Sequence, residues 1–131
     1  MTVQTEQRII IYGHNHREFS NASAIIQYIK EGGQRYRYTQ TKNVDVVVLS
    51  LDNIAYGYFE VNSKEKPNEQ DRNEYPPVRC VYIVDKRVLF VNPVELSCYH
   101  VTVNSFGVPI PMELLETIKL QAGELVEFSH A

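Results

Sequence analysis

The longest apolar run in the chain predicts a β-hairpin. Val, Ile, Tyr and Phe dominate residues 44–61, and these residue types favour the pleated, half-buried surface of a strand. We predict one strand over residues 44–50, a tight turn over residues 51–53 and a second strand over residues 54–61. Asp and Asn in the turn supply side chains that tolerate its backbone conformation. The hairpin is therefore the expected centre of the fold.

Strict alternation predicts two faces for the second strand of this hairpin. The faces are Ile54, Tyr56, Tyr58 and Glu60 on one side, and Ala55, Gly57, Phe59 and Val61 on the other. The small Ala and Gly leave a space where another backbone or a ligand could approach closely.

The periodicity on either side of the hairpin predicts two helices and several short strands. A buried first strand over residues 8–12 leads into a polar loop over residues 13–18. A helix follows, which Ser20 or Asn21 caps and which ends at Gly32. The later predicted elements are strands at residues 78–84, 87–91, 99–103 and 124–128, a helical turn at 93–97, a helix at 111–120, and a mobile charged connection at 62–75.

These elements predict an α+β fold. Five or six short strands pair non-locally, with one helix early and one late, and the strands do not alternate regularly with helices. This arrangement favours a small β-barrel with two or three flanking helices over a parallel sheet. At 131 residues with 44% hydrophobic content, the chain fits a single domain spanning residues 1–131.

The composition argues against several protein classes. No apolar run approaches the roughly 20 residues that a membrane span requires. The N-terminus has no apolar core of a signal peptide. Two cysteines, Cys80 and Cys98, do not make a disulfide framework, and free thiols are typical of a reducing compartment. We therefore expect a cytoplasmic protein with no membrane partner.

The charge is distributed unevenly along the chain. A formal net charge of −3 argues against wholesale wrapping of DNA. Residues 1–42 nevertheless carry six Lys and Arg against three Glu, which leaves seven basic against thirteen acidic residues in the remainder. A basic region on an acidic domain suits local contact with a phosphate or a carboxylate. A solvated, mixed surface gives the same count, so this alternative stays open.

Motifs of familiar enzyme classes are absent. The chain has no phosphate-binding Gly-rich loop and no nucleophile elbow. His14 and His16 lie two residues apart without further ligands at metal-binding spacing, so we predict neither a metal nor a cofactor. A small-molecule or hydrolytic pocket that combines Asp45 or Glu60 with His14 is an alternative that stays open.

Signals of binding are stronger, beginning with the segment before the hairpin. Residues 34–40 alternate as a strand. Tyr36 and Tyr38 share one face, and Arg35 and Arg37 share the other. Tyrosine stacks on a nucleobase with about 1–3 kcal/mol, and arginine pairs with phosphate or stacks in turn. The alternative is that the tyrosines are core residues and the arginines form a wet outer face.

The loop after the first strand, Tyr12-Gly-His-Asn-His, is a second signal of binding. It places an aromatic ring and several donors and acceptors beside a helix N-terminus, which offers free backbone N–H groups. The side chains of His14 and Asn15 can read the edge of a base. The alternative is an ordinary capped loop.

The order of these features resembles the PUA-like superfamily, and within it the EVE and YTH-type domains. A first strand leads through a polar loop into a helix, and a short strand precedes the hairpin that contains Ile-Ala-Tyr-Gly-Tyr-Phe-Glu-Val. Residues 75–84 and the Pro-Val-Glu-Leu-Ser of residues 93–97 resemble the late strand and the Pro-Val-x-Leu turn of EVE domains. Residues 110–120 resemble the terminal helix. The resemblance covers most of the chain through short motifs.

The resemblance implies a small β-barrel with a concave pocket that binds nucleic acid, in some members by holding a modified base in an aromatic cage. The chain has no Trp, so Tyr or Phe would form such a cage, with weaker stacking. The pocket residues that the resemblance implies are Tyr12, His14, Asn15, Tyr36, Tyr38 and Phe106.

We therefore predict a non-catalytic nucleic-acid-binding module that recognises a flipped or modified base of DNA or RNA. Its predicted contacts are the residues that the resemblance implies, together with Arg35 and Arg37. One alternative is a protein-interaction or oligomerisation domain, such as a homodimer that buries Tyr36 and Tyr56. The other is the small-molecule or hydrolytic pocket at His14.

Overall fold

The computed structural model describes residues 7–129 of the chain. Residues 1–6 and 130–131, which the domain prediction includes, lie outside the described residues. One 3-10 turn spans Leu96–Tyr99. The elements of the described range are β1 (Ile9–His14), α1 (Ala22–Glu31), β2 (Arg35–Tyr38), β3 (Val46–Leu51), β4 (Ile54–Glu65), α2 (Glu69–Glu74), β5 (Cys80–Glu95), β6 (Val108–Ile110), α3 (Met112–Ala122) and β7 (Leu125–Ser129).

The strands form one curled, mixed sheet, which confirms the predicted α+β class. Its hydrogen-bonded order is β2-β5-β4-β3-β1-β6, and β7 pairs with the middle of β5. β1 and β3 are parallel because α1 and β2 carry the chain between them, and the other pairs are antiparallel. β5 is sixteen residues long, so it supports β2 along its first part and β7 farther on.

β1 is buried on both faces, which explains its continuous apolar sequence. Ile10 and Tyr12 enter one hydrophobic core, which also contains Ile25 of α1. Ile9 and Ile11 enter a second core, which also contains the apolar side of α3. The curled sheet therefore separates two cores, and each core has one long helix packed against it.

α1 begins and ends where its sequence predicts. The side chain of Asn21 accepts a hydrogen bond from the N–H of Ala24 at 3.0 Å, and Gly32 follows the last turn. Ile25 and Ile29, which are fully buried, hold the helix against the sheet. No helix within residues 7–129 is long and apolar enough to cross a membrane.

The predicted hairpin is confirmed as β3 and β4. Asp52 and Asn53 have φ angles of 54° and 61°, as a type I′ turn requires. The Asn53 amide also donates to the carbonyl of Val101 at 2.8 Å, and its Oδ1 accepts from the N–H of Val103 at 2.8 Å. These bonds occupy backbone groups that a strand ladder would need, so the strand predicted at residues 99–103 is wrong.

A bulge in β4 changes the alternation of its side chains. From Ala55 to Gly57 the pairing advances two residues on β4 but only one on β3, so Tyr56 is an extra residue. As a result, Tyr56 packs in the core of α1 and Tyr58 packs in the core of α3. The prediction that these two tyrosines share a face is therefore wrong.

The segment between β4 and β5 is also more ordered than predicted. Residues 62–75 were expected to form a mobile connection, but β4 continues to Glu65 and a short helix, α2, follows. The side chains of Asn68 and Asp71 form a reciprocal capping box that starts this helix. Asp71 is fully buried, so the segment is docked rather than mobile.

The two strands predicted at residues 78–84 and 87–91 are one strand, β5. The polar residues between them do not mark a turn. Lys86 stays in the ladder opposite Glu60, and its Nζ lies 3.1 Å from Glu60 Oε2. Cross-strand pairs of opposite charge are compatible with a solvent-facing position on a continuous strand.

The close approach expected beside Gly57 is made by a backbone. A Cβ at position 57 would overlap the carbonyl oxygen of Val88 on β5 and would lie 3.0 Å from Cδ1 of Ile29. Glycine therefore allows β4 and β5 to approach beneath α1.

We expect Gly57→Ala to lower the free energy of unfolding by about 1–3 kcal/mol, because the added methyl group must displace a strand backbone. The matched control is Gly33→Ala, whose Cβ meets no atom within 4 Å. Urea unfolding of both variants measures the difference. Equal stability of the two variants would contradict the packing of β4 against β5.

Candidate functional site

A cleft of about 950 Å³ opens where the C-terminal end of β1, the face of α1 and β2 meet. A concave surface that combines aromatic rings with a few converging polar groups is typical of a ligand site. The cleft is lined by His14, Asn15, Arg17, Glu18, Phe19, Tyr28, Gly33, Gln34, Arg35, Tyr36, Arg37, Tyr75 and Pro77.

The cleft brings together most of the residues that the sequence singled out. His14, Asn15, Arg35, Tyr36 and Arg37 all line it. They come from the end of β1 with the loop that follows it, and from β2; three strands lie between β1 and β2 in the order of the sheet. The curl of the sheet is what places these two segments side by side.

Three of the singled-out residues lie outside the cleft lining. Tyr12 is fully buried, and its ring stacks on Tyr38 with ring centroids 3.6 Å apart. The Tyr38 hydroxyl donates to the carbonyl of Ser105 at 2.6 Å. Phe106 is 64% exposed on the loop before β6. Tyr12 and Tyr38 are therefore core residues next to the cleft, and Phe106 lies apart from it.

His14 connects the two sides of the cleft. Its Nδ1 lies 3.0 Å from Oε2 of Glu18, and its Nε2 lies 2.7 Å from the hydroxyl of Tyr36. A carboxylate only accepts hydrogen bonds, so in the neutral ring Nδ1 carries the proton and Nε2 accepts from the tyrosine. The His14 side chain is only 2% exposed, so it positions its neighbours rather than facing a ligand.

The pKa values of the two partners fit this assignment. Burial raises the pKa of Glu18, but hydrogen bonds from His14, from the backbone of Asn15 and from the Tyr75 hydroxyl outweigh it, so the pKa lies below its ordinary value. Burial raises the pKa of Tyr36 well above its ordinary value. Glu18 is therefore held as a carboxylate, and Tyr36 as a neutral phenol that donates.

Asn15 fixes the loop that carries the charged residues of the cleft. Its Oδ1 accepts from the N–H of Arg17 at 2.9 Å and from that of Glu18 at 3.1 Å. Its carbonyl accepts from the N–H of Phe19 at 3.0 Å. This turn sets the direction in which each side chain leaves the backbone. Arg17 is exposed and forms no ion pair with any residue of the described range.

The two arginines of β2 are already paired with acids. Arg35 Nη2 lies 2.6 Å from Asp71 Oδ2, and Arg37 Nε lies 2.8 Å from Asp71 Oδ1. Arg37 also pairs with Glu74 at 2.6 Å, and Arg35 with Glu65 at 3.5 Å. The arginine side chains lie at the rim of the cleft with their charge largely satisfied.

Asp71 is the buried centre of this cluster. Its side chain is 1% exposed, whereas those of Arg35 and Arg37 are 34% and 24% exposed. The hydrogen bond from Arg35 holds the pKa of Asp71 far below its ordinary value, and bonds from Asn68 and Arg37 act in the same direction against burial. The cluster fastens α2 to β2, which forms one wall of the cleft.

Two alternative assignments lose their structural basis. Asp45 and Glu60 line a separate pocket that does not include His14, so the proposed combination of these side chains is not assembled. Tyr36 and Tyr56 are buried within the chain itself, 2% and 7% exposed, and do not offer a surface for a homodimer.

His16 does not combine with His14. Its Nε2 lies 2.9 Å from Oδ1 of Asp52, and its Nδ1 lies 2.9 Å from the carbonyl of Ser20. Across residues 7–129, no group of three or more His, Cys, Asp or Glu side chains is placed to hold a metal ion.

Eight residues of the cleft lining were not singled out from the sequence, and they include the exposed Arg17. Glu18 follows His14 by four residues, a spacing at which side chains meet in a turning backbone, and this signal could have identified it. Phe19 precedes α1 and Tyr28 lies within it beside the buried Ile29, positions that are typical of core residues. Tyr75 carried no signal, because its place depends on the docking of α2.

The cleft offers aromatic surfaces beside a carboxylate and an exposed guanidinium. The rings of Phe19 and Tyr28 lie 5.3 Å apart, and those of Tyr28 and Tyr36 lie 6.3 Å apart. Such a surface suits a planar ligand with polar edges and a nearby negative charge. No protein-family model matches the sequence, and no curated protein matches it either.

We expect Asp71→Asn to lower the free energy of unfolding at pH 7 by about 2–3 kcal/mol. This lies below the ~3–5 kcal/mol typical of breaking a buried ion pair, because both arginines keep contact with solvent. The folded-state pKa of Asp71 lies below the unfolded value of about 3.9, so its stabilisation is present above that pH and is lost as the pH falls. Urea unfolding at pH 7 and pH 3 should show the difference between wild type and variant shrinking at pH 3.

The control for this prediction is Glu69→Gln on the same helix. Glu69 is exposed and forms no ion pair within the described residues, so its substitution should leave stability within about 0.5 kcal/mol. If Asp71→Asn lowered the free energy of unfolding no more than this control does, the ion pairs of Asp71 with Arg35 and Arg37 would not stabilise the fold.

Proposed function

We propose that this chain is a non-catalytic, PUA-like nucleic-acid-binding module whose cleft holds one unpaired base of DNA or RNA. The observation that carries the proposal is the cleft itself, whose lining combines the half-buried rings of Phe19 and Tyr28 with the carboxylate of Glu18 and the exposed Arg17. A flipped or single-stranded base needs an aromatic surface for stacking, polar groups for its edge and a cation for its phosphate.

The dimensions of the cleft support this proposal. Its volume of about 950 Å³ falls in the range of about 300–1,000 Å³ that is usual for small-molecule sites. The space therefore suits one nucleotide rather than a duplex. The rest of the strand would run along the surface.

The charges of the cleft assign the phosphate contact to Arg17. The sequence favoured Arg35 and Arg37, but a phosphate at either of them would compete with the carboxylate of Asp71. Arg17 forms no such pair within the described residues, and it lies on the loop that Asn15 orders. One phosphate contact of this kind gives weak and salt-dependent affinity.

The surroundings of His14 support binding over catalysis. A general base must reach the proton that it abstracts. Both ring nitrogens of His14 are instead engaged by Glu18 and Tyr36, and the ring is almost completely buried. In the proposal, His14 orients the side chains of Glu18 and Tyr36, to which it is hydrogen-bonded.

The PUA-like assignment belongs to the proposal as well. It is supported by the order of elements from β1 through α1 and β2 to the β3–β4 hairpin. The curled mixed sheet with three helices in the described range agrees with a small barrel-like fold. Such a fold places its site in a concavity, as the cleft is here.

The proposal predicts that Arg17→Ala weakens the binding of a labelled single-stranded oligonucleotide and reduces the slope of log K against log salt by about 0.7–1. Fluorescence anisotropy at several salt concentrations measures both values. The matched control is Arg8→Ala, because Arg8 is exposed and lies six residues from His14 along the strand, about 20 Å away.

Three outcomes would contradict the proposal. One is the absence of salt-sensitive binding to single-stranded or double-stranded oligonucleotides. Another is an equal effect of the Arg17 and Arg8 substitutions, which would place the contact outside the cleft. A third is a nucleoside monophosphate that competes as well as the oligonucleotide, because the ligand would then be a free nucleotide.

A further inference from the structure

We propose that Glu18 makes the cleft selective for bases that carry an exocyclic amino group, namely adenine, cytosine and guanine, over uracil and thymine. The inference rests on the proposed function and deepens it by naming the class of base. It assigns Glu18 as the residue that reads the base edge, and it assigns His14 and Tyr36 as positioning residues.

The hydrogen bonds of Glu18 leave it one position open toward a ligand. Oε2 receives the Nδ1–H of His14 at 3.0 Å and the hydroxyl of Tyr75 at 3.4 Å. Among residues 7–129, Oε1 receives only the N–H of Asn15, at 3.3 Å. A carboxylate oxygen has two lone pairs, so Oε1 can accept a second donor. The Glu18 side chain is 20% exposed in the cleft lining, so this donor can come from a bound base.

The negative charge of the Glu18 carboxylate decides which edges of a base can bind to it. A carboxylate accepts hydrogen bonds and repels carbonyl oxygens. Cytosine offers an N4 amino group, adenine an N6 amino group and guanine an N2 amino group, whereas thymine presents carbonyl oxygens. Uracil and thymine place a single ring N–H between two carbonyl oxygens, so one oxygen approaches the carboxylate whenever this N–H does.

The position of Glu18 is fixed by buried groups. His14 Nε2 accepts from the Tyr36 hydroxyl at 2.7 Å, and both of these side chains are buried. The rotamer of Glu18 is therefore set by a hydrogen-bonded chain that reaches the core. A carboxylate held in this way discriminates more sharply than a mobile one, because it cannot swing away from a mismatched edge.

The first test uses the unaltered protein and changes one atom group of the ligand. A single-stranded thymidine oligonucleotide carries one central base, which is cytosine or 2-pyrimidinone, the analogue without the N4 amino group. We expect the cytosine strand to bind about tenfold more tightly, because a hydrogen bond to a charged group is lost in the analogue. Adenine against unsubstituted purine should show the same direction.

The second test changes the protein. Glu18→Gln removes the charge and adds an amide N–H that can face a carbonyl oxygen, so the preference for cytosine over thymine should fall to less than about twofold. Glu31→Gln is the matched variant, since it makes the same chemical change at an exposed residue outside the cleft lining. It should retain the preference.

The outcomes separate the inference from the proposed function. Salt-dependent binding with equal affinity for cytosine and 2-pyrimidinone overturns the role of Glu18 and leaves nucleic-acid binding in place. Loss of the preference in Glu31→Gln as well as in Glu18→Gln also overturns it, because the preference would then follow the overall negative charge of the protein and not the carboxylate in the cleft. The absence of binding to any oligonucleotide overturns both proposals.

Discussion

The site depends on contacts that β1 and β2 make across the interior of the curled sheet. These strands are separated by β5, β4 and β3 in the hydrogen-bonded order, so no backbone bond joins them. Their side chains meet instead, through the stack of Tyr12 on Tyr38 and the hydrogen bond between His14 and Tyr36. These contacts bring the polar loop after β1 against β2. The cleft is the space that remains beside them.

A second constraint acts on the outer face of β2. Its arginines point away from the tyrosines and would form a wet surface if nothing covered them. The buried carboxylate of Asp71 forms ion pairs with both guanidinium groups and so holds α2 against β2. The cluster closes one wall of the cleft and removes most of its free positive charge. In this four-residue strand, the tyrosines of one face therefore pack in the core, and the arginines of the other face form ion pairs with Asp71.

The chemistry of the cleft follows from this division of roles. His14 is enclosed and orders its neighbours, whereas Glu18 and Arg17 remain available on a loop that Asn15 holds in place. In the function that we propose, this carboxylate and guanidinium recognise a planar, charged ligand beside the aromatic rings. The tyrosine rings behind the cleft are packed in the core of α1.

The sequence by itself determined the local elements. Asp52 and Asn53 specify the hairpin turn, Asn21 specifies the start of α1, and the unbroken apolar run of β1 specifies burial on both faces. These signals act between residues that are close in the chain, so the sequence alone is enough to predict the elements that they specify. Part of the site is encoded locally for the same reason, because His14 and Asn15 lie in a polar loop next to a helix and the alternation of β2 places its tyrosines on one face.

Only the tertiary structure decided which distant side chains meet. His14 and Tyr36 are 22 residues apart, and Arg35 and Asp71 are 36 apart. The neutralisation of Arg35 and Arg37 by acids, the order in residues 62–75 and the place of Tyr75 all depend on these pairings. No periodicity encodes them, because each depends on how far the sheet curls and on which polar group the buried surface can satisfy.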